Sequence, residues 1–168
     1  KTDGSLWVWG KNDEGGLGLN SSPEGGGAYG ERSSSPVQLS AGSGKTWSKM
    51  CGGDMLLGRK SDGTLWACGR NTYGTMGNNA GGNNANRSSP IQIGNDTDWS
   101  TNIFSNDVFC GAVKTDGSLW LWGSLNSGEF GLNRRDTLPD GSGDSGISSP
   151  VQLPGTWNNT EFAQSYQA

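Results

Sequence analysis

Side chains able to do chemistry are sparse in this chain, and their spacing excludes most catalytic schemes. There is no His among the 168 residues, which removes the commonest general base and the commonest metal ligand. No Gly-x-Ser-x-Gly elbow and no Walker-type phosphate loop occurs, despite thirty Gly. The cysteines are Cys51, Cys68 and Cys110, an odd number at spacings that fit neither paired zinc-binding CxxC motifs nor a disulfide framework. They read as small buried hydrophobes, with a Cys51–Cys68 disulfide as the alternative, since both would flank one short antiparallel connection. Carboxylates occur as Asp13-Glu14 and along Asp136, Asp140 and Asp144. Glycoside hydrolysis needs two such groups opposed across a substrate, and sequence spacing does not establish that, so they read as solvated loop acids. Asp140, Ser142 and Asp144 place oxygen ligands at alternate residues, faintly like a calcium loop, but the Gly at the sixth position and the closing Glu are absent. A polar loop without metal is the expectation, and calcium the alternative. The chain is expected to be neither an enzyme nor a cofactor carrier.

Charge and hydropathy narrow the partners. The net charge is −4 at pH 7, and the twelve Lys and Arg are dispersed rather than gathered in a stripe, so no basic field offers itself to nucleic acid. No apolar run approaches the roughly 20 residues of a membrane span, and the opening Lys1-Thr-Asp-Gly lacks a signal-peptide pattern. A soluble mature product or fragment is expected. Only 30% of residues are hydrophobic, yet eight are Trp, which argues for a packed core over disorder.

The elements that must position these residues repeat. Lys1-Thr-Asp-Gly-Ser-Leu-Trp-Val-Trp-Gly10, Lys60-Ser-Asp-Gly-Thr-Leu-Trp-Ala-Cys-Gly69 and Lys114-Thr-Asp-Gly-Ser-Leu-Trp-Leu-Trp-Gly123 superpose without gaps. Each Asp-Gly is a turn signal, because Gly accepts positive φ and Asp bonds its own backbone. The residues after each turn alternate as a strand that is apolar on both faces, with Leu6 and Val8 opposite Trp7 and Trp9. Such a strand belongs between neighbours. A second mark, Ser-Ser-Pro-hydrophobic-Gln-hydrophobic, stands at 34–39, 88–93 and 148–153, where Pro is expected to open a short strand. A third is Trp47, Trp99 and Trp157; between the first two of these and the next Lys-x-Asp-Gly lie the apolar stretches at Met55–Leu57 and Val108–Val113. A fourth is Gly15-Gly-Leu-Gly18, Gly74-Thr-Met-Gly77 and Gly128-Glu-Phe-Gly131, which suits a tight turn anchoring one apolar side chain. Repeat one covers about 1–59, repeat two about 60–113 and repeat three about 114–168.

Every Trp then has an equivalent address: Trp7, Trp66 and Trp120; Trp9 and Trp122, with Cys68; Trp47, Trp99 and Trp157. All eight are expected in the structural core, which leaves none as a dedicated ligand platform. The copies differ most in the inserts 19–33, 78–87 and 132–147. Loops on one rim of a rigid scaffold are where recognition is usually placed, so Tyr29, Arg32, Arg87, Arg134 and Arg135 are the candidate contact residues.

The succession Asp-Gly-Ser-Leu-Trp-x-Trp-Gly, Gly-x-hydrophobic-Gly, Ser-Ser-Pro-Val-Gln-Leu resembles the regulator of chromosome condensation repeat family over nearly the whole chain. The resemblance implies an all-β fold of β-propeller blades, here part of a larger and roughly seven-bladed ring in which a strand exchange closes the circle. It implies function less firmly, because members include an exchange factor for a small nuclear GTPase, protein inhibitors of β-lactamase and many bacterial and phage proteins. A His-Thr pair that often precedes Lys-x-Asp-Gly in the family is replaced here by Met55-Leu56 and Phe109-Cys110, which argues against exchange-factor activity. The third copy also places Leu125 where the others have Asn12 and Asn71.

Three blades fall below the four to eight of closed propellers, so either further blades of the chain or neighbouring subunits are expected. The leading expectation is a structural or adhesive recognition module on a phage virion or another extracellular surface, binding protein partners through rim loops. A protein-binding regulator or inhibitor and a binder of host-surface glycan are the alternatives.

Overall fold

The structure is a computed structural model, and it describes residues 1–20, 32–82, 85–106, 108–125, 146–155 and 157. Ten strands form the described architecture: β1 (Leu6–Lys11), β2 (Arg32–Leu39), β3 (Trp47–Gly52), β4 (Met55–Lys60), β5 (Leu65–Gly69), β6 (Arg87–Ile93), β7 (Trp99–Ser105), β8 (Phe109–Lys114), β9 (Leu119–Ser124) and β10 (Gly146–Leu153). They assemble as a two-stranded sheet β1-β2 and two four-stranded antiparallel sheets, β3-β4-β5-β6 and β10-β9-β8-β7. These are one half blade and two full blades of a propeller.

The expected central strands are central: β5 and β9 are paired on both edges. β1 has the same sequence pattern but only β2 as a partner among the described residues. The apolar stretches before Lys60 and Lys114 form β4 and β8, while Trp47 and Trp99 head strands β3 and β7. Sequence repeat and blade are therefore offset: Lys60 and Lys114 end β4 and β8, and the Asp-Gly turns lie inside a sheet.

Two local expectations are corrected. Pro36, Pro90 and Pro150 lie within β2, β6 and β10 rather than opening them. Each of those strands is the last in its sheet, and each ladder breaks register beside the Pro, between Val8 and Gly10, Ala67 and Gly69, and Ile147 and Val151. An outer strand with a register break tolerates a residue that has no N–H to donate. The second correction concerns Trp9, expected in the core and instead 60% exposed. Its equivalents Cys68 and Trp122 are fully buried, because each packs on the blade before it, and no described blade precedes β1.

The other Trp meet the expectation of a core place only in part. Trp47, Trp99 and Trp122 are buried, and Trp7, Trp66, Trp120 and Trp157 are half-buried. Core packing runs between blades: Leu65, Ala67 and Met76 of the middle blade join Trp99, Cys110, Ala112 and Trp122 of the last one in a single apolar cluster. Val8, Leu17 and Leu39 meet Trp47 in the same way across the first gap. All three cysteines are free thiols, so the Cys51–Cys68 disulfide does not form.

Candidate functional site

The Lys-x-Asp-Gly-Ser/Thr-Leu-Trp motif brings an amine, a carboxylate and a hydroxyl together at one end of each blade. The structure commits all of them to holding the turn. Asp62 Oδ1 accepts from Thr64 Oγ1 at 2.6 Å, and Thr64 Oγ1 accepts from the Trp66 indole at 2.8 Å. Asp116, Ser118 and Trp120 repeat the relay at 2.7 and 3.0 Å. In the first copy the Trp7 indole donates to Ser5 Oγ at 2.9 Å, and Ser5 N–H donates to Asp3 at 2.8 Å. These donors keep the carboxyls of Asp3, Asp62 and Asp116 below the usual range, and Asp62 is lowered furthest because Lys45 pairs with it at 2.6 Å.

The lysine of the motif lies over indole faces. Lys60 Nζ stands 3.4 Å from the Trp66 ring centre and 5.0 Å from that of Trp47, and Lys114 stands 5.1 Å from both Trp120 and Trp99. Cation–π contact partly replaces lost hydration. The two lysines nonetheless titrate in opposite directions. Burial, with repulsion from Lys45, lowers Lys60. Burial pulls Lys114 down as well, but Asp96 at 2.7 Å and Asp98 at 3.2 Å outweigh it and raise the ammonium. Aligned on the Trp strands, the middle blade has Gly44 and Thr46 where the last one has those two aspartates.

The opposite rim remains open to solvent. There β1 ends in Lys11 opposite Arg32, and β5 ends in Gly69 opposite Arg87. Lys11 pairs with Asp13 at 3.2 Å, and the two side chains are 56% and 27% exposed. Arg70 sits 5.8 Å from the Tyr73 ring and donates to Thr72 at 3.1 Å. Glu14 of the first blade bonds Asn86 of the second, whose Oδ1 accepts the Asn71 N–H at 2.8 Å. That bridge makes the two rims one surface. Beneath it Asn71, fully buried, accepts the Met76 N–H at 2.8 Å and donates to Ala80 at 3.0 Å. Asn12 accepts the Leu17 N–H at 3.0 Å in the equivalent place. These two Asn shape the Gly-x-hydrophobic-Gly turns.

Of the sequence-based contact candidates, Arg32 and Arg87 are exposed and stand on this rim. Arg87 is steered by the carbonyl of Asn86 at 2.9 Å. Tyr29, Arg134 and Arg135, and the calcium candidates Asp140, Ser142 and Asp144, lie outside the described residues. Among the described residues no three Cys, Asp or Glu side chains are grouped to hold a metal ion. Sequence reasoning missed Lys11, Arg70 and Tyr73. The signal was available, since a cation directly follows the Gly that closes the repeat motif in the first two copies, Gly10-Lys11 and Gly69-Arg70.

Comparison with known proteins bears on the family and the fold. The family model for the regulator of chromosome condensation (RCC1) repeat matches residues 3–57 and 62–112, more than half of the chain. No curated protein matches it by sequence. Among solved structures the chain is similar to Prp20p from Saccharomyces cerevisiae, studied for its binding to Gsp1p and histones, with a TM-score of 0.69, 19% identity and coverage of 90% of this chain and 34% of that one. Human WBSCR16 gives a TM-score of 0.64 at 23% identity, covering 85% and 33%. The complex of Kap60 with yeast RCC1 (Prp20) gives 0.66 at 20% identity, covering 93% and 34%. The chain thus spans about a third of the length of the solved structures it matches.

Proposed function

The chain belongs to the regulator of chromosome condensation repeat family, and on that basis we propose that it is a non-enzymatic recognition module that binds a protein partner through the blade rim carrying Lys11, Arg32, Arg70, Tyr73 and Arg87. One observation carries the reading. The acidic, basic and hydroxyl groups of the repeat motif are spent on turn and blade geometry, whereas this rim holds exposed cations and an aromatic ring on a backbone braced across two blades by Glu14 and Asn86. Arg and Tyr are the side chains that protein interfaces favour.

Relatives of the same fold supply the probes: Prp20p binds Gsp1p and histones, and yeast RCC1 is held by Kap60. Immobilised chain would be exposed in turn to a small GTPase, core histones and an importin of the Kap60 type. Saturable binding that is lost in the double charge reversal R70E/R87E, with an unchanged melting curve, supports the rim. Binding indifferent to that reversal, or binding to none of these probes, counts against it.

The finer reading is that this module belongs to an exposed surface, such as a phage virion. Abundant Asn, Ser and Gly with few Lys support it. Peptides of this chain in the mass spectrum of purified particles would sustain the reading, and their confinement to the cell lysate would remove it.

A further inference from the structure

The link from the first blade to the second is longer than its counterpart between the second and third. Leu39 matches Ile93 and Trp47 matches Trp99, so residues 40–46 correspond to residues 94–98. The shorter link lies directly on its Asp-Gly turn, where a Cβ on Gly63 would stand 1.8 Å from the Thr97 carbonyl oxygen. The longer one leaves a cavity of about 590 Å³ between itself and the turn at Asp3, Gly4 and Ser5. That volume falls in the roughly 300–1,000 Å³ range of small-molecule sites. The cavity stands at the Asp-Gly end of the blades, away from the rim of Lys11 and Arg87, and does not depend on the role given to that rim.

One wall is Trp47, which is 7% exposed and whose buried indole N–H has no hydrogen-bond acceptor among the described residues. The six-membered ring is turned towards β4, since a Cβ on Gly58 would meet Trp47 Cζ3 at 2.7 Å. This leaves the pyrrole edge, with its N–H, on the other side. A buried donor left unmatched is costly and calls for an acceptor. The Trp99 N–H is also unmatched, but Trp99 is only 2% exposed, under the tighter link. What distinguishes Trp47 is the space beside it.

The polar groups around that space favour a ligand that both donates and accepts. Ser40 Oγ already accepts the Gly42 N–H at 3.2 Å, and Ser5 Oγ accepts the Trp7 indole at 2.9 Å. The Asp3 carboxylate opposes a bare anion, and the Lys45 ammonium, held by Asp62 at 2.6 Å, opposes a bare cation. Gln38 adds an exposed amide with one acceptor and two donor positions. We propose that this cavity is a binding site for a small neutral sugar. One ligand hydroxyl oxygen accepts the Trp47 N–H, and neighbouring hydroxyls meet the Asp3 carboxylate and the Gln38 amide. Leu39 and Ala41 supply the apolar wall for the ring's C–H face.

Proton–nitrogen correlation spectra of the isotope-labelled full chain test this, with the Trp47 indole resonance identified by its loss in Trp47→Phe. D-glucose, D-galactose, D-mannose and N-acetyl-D-glucosamine are titrated in turn, and sodium sulfate separately. At least one sugar shifts the Trp47 resonance saturably and leaves that of Trp99 in place. Gln38→Ala, on the surface, weakens that binding by about 2–10-fold, as loss of one hydrogen bond does. Deleting Gly42 and Ser43 gives the link the length of residues 94–98 and abolishes the shift while the other indole resonances keep their positions. Should the shortened chain fail to fold, Gln38→Ala carries the comparison. A Trp47 resonance that none of the four sugars moves overturns the proposal. Equal movement of Trp47 and Trp99 does so too, as a bulk solvent effect, and so does movement by sulfate alone, which would make the cavity an anion site.

Discussion

Replacing Thr46 by Asp should stabilise the protein by supplying Lys60 with the carboxylate that its counterpart already has. The backbones at the two sites match: Thr46 and Asp98 carbonyls accept from Ser61 and Thr115 N–H, each at 2.8 Å. Lys60 and Lys114 both lie over two indoles, and only Lys114 meets Asp98, at 3.2 Å. An exposed ion pair is worth about 0.2–1 kcal/mol, and a hydrogen bond to a charged group about 1.5–3 kcal/mol. Lys60 is only 6% exposed and its new partner would stand at the surface, so a net gain of about 1 kcal/mol is expected. For a chain of this size that raises the melting midpoint by about 2–4 °C. The pH dependence provides a second check. With its folded value lowered, Lys60 loses its proton in the native state before the unfolded chain does. Native stability therefore gains from it as pH rises through that folded value towards the ordinary 10.5. In Thr46→Asp the gain shrinks or reverses, as it does for a raised lysine. Melting curves at pH 7 through 10.5, with Thr46→Asn as the neutral control, decide the matter: an Asp variant no more stable than Asn, with an unchanged alkaline slope, refutes the argument.

Four further outcomes are expected. Trp122→Ala removes a fully buried ring together with its bond to Thr75, so urea titration should show a loss of about 3–5 kcal/mol. Asn71→Ala leaves the Met76 N–H without its acceptor in a buried turn, and the same titration should register a cost of about 1–3 kcal/mol. The carboxyl of Asp62 is held down by Lys45 and Thr64, so its contribution is present above about pH 4 and fades as pH falls through its native value. Asp62→Asn should thus melt lower than the parent at pH 7, with the gap closing towards pH 2. Burial pushes the Cys68 thiol up to about 12 and Cys110 well above its usual value. Both should resist Ellman's reagent at pH 8 until the chain is unfolded, and rapid labelling of the native protein at either would contradict their packing.

The sequence disclosed those elements whose pattern is self-contained. An Asp-Gly turn followed by Leu-Trp-x-Trp specifies β1, β5 and β9 locally, and the apolar runs ending at Lys60 and Lys114 mark β4 and β8. β3 was less legible because Trp47-Ser-Lys-Met-Cys-Gly mixes polar and apolar residues, as an outer strand with one solvated edge can. Pro36 misled because a strand interior is normally closed to proline, and only its place on the sheet's last strand beside a register break admits it. Trp9 misled differently: its residue type and position equal those of Trp122, and exposure depends on a neighbour rather than on local pattern. On the rim, Arg32 and Arg87 followed from insert position, whereas Arg70 and Tyr73 become a pair only once the loop after β5 brings them together.

The half-unit offset between repeat and sheet bears on how such a chain can lengthen and shorten. Inserting one repeat length of coding sequence adds one complete sheet, wherever the crossover falls, because the joint always rejoins equivalent residues. Deletion of an end is less forgiving. A break between Ile93 and Trp99 leaves the sheet β3-β4-β5-β6 whole, whereas a break at an Asp-Gly turn divides a sheet between its second and third strands. Growth by duplication is nearly free of register error, while viable truncation is confined to the short links between blades.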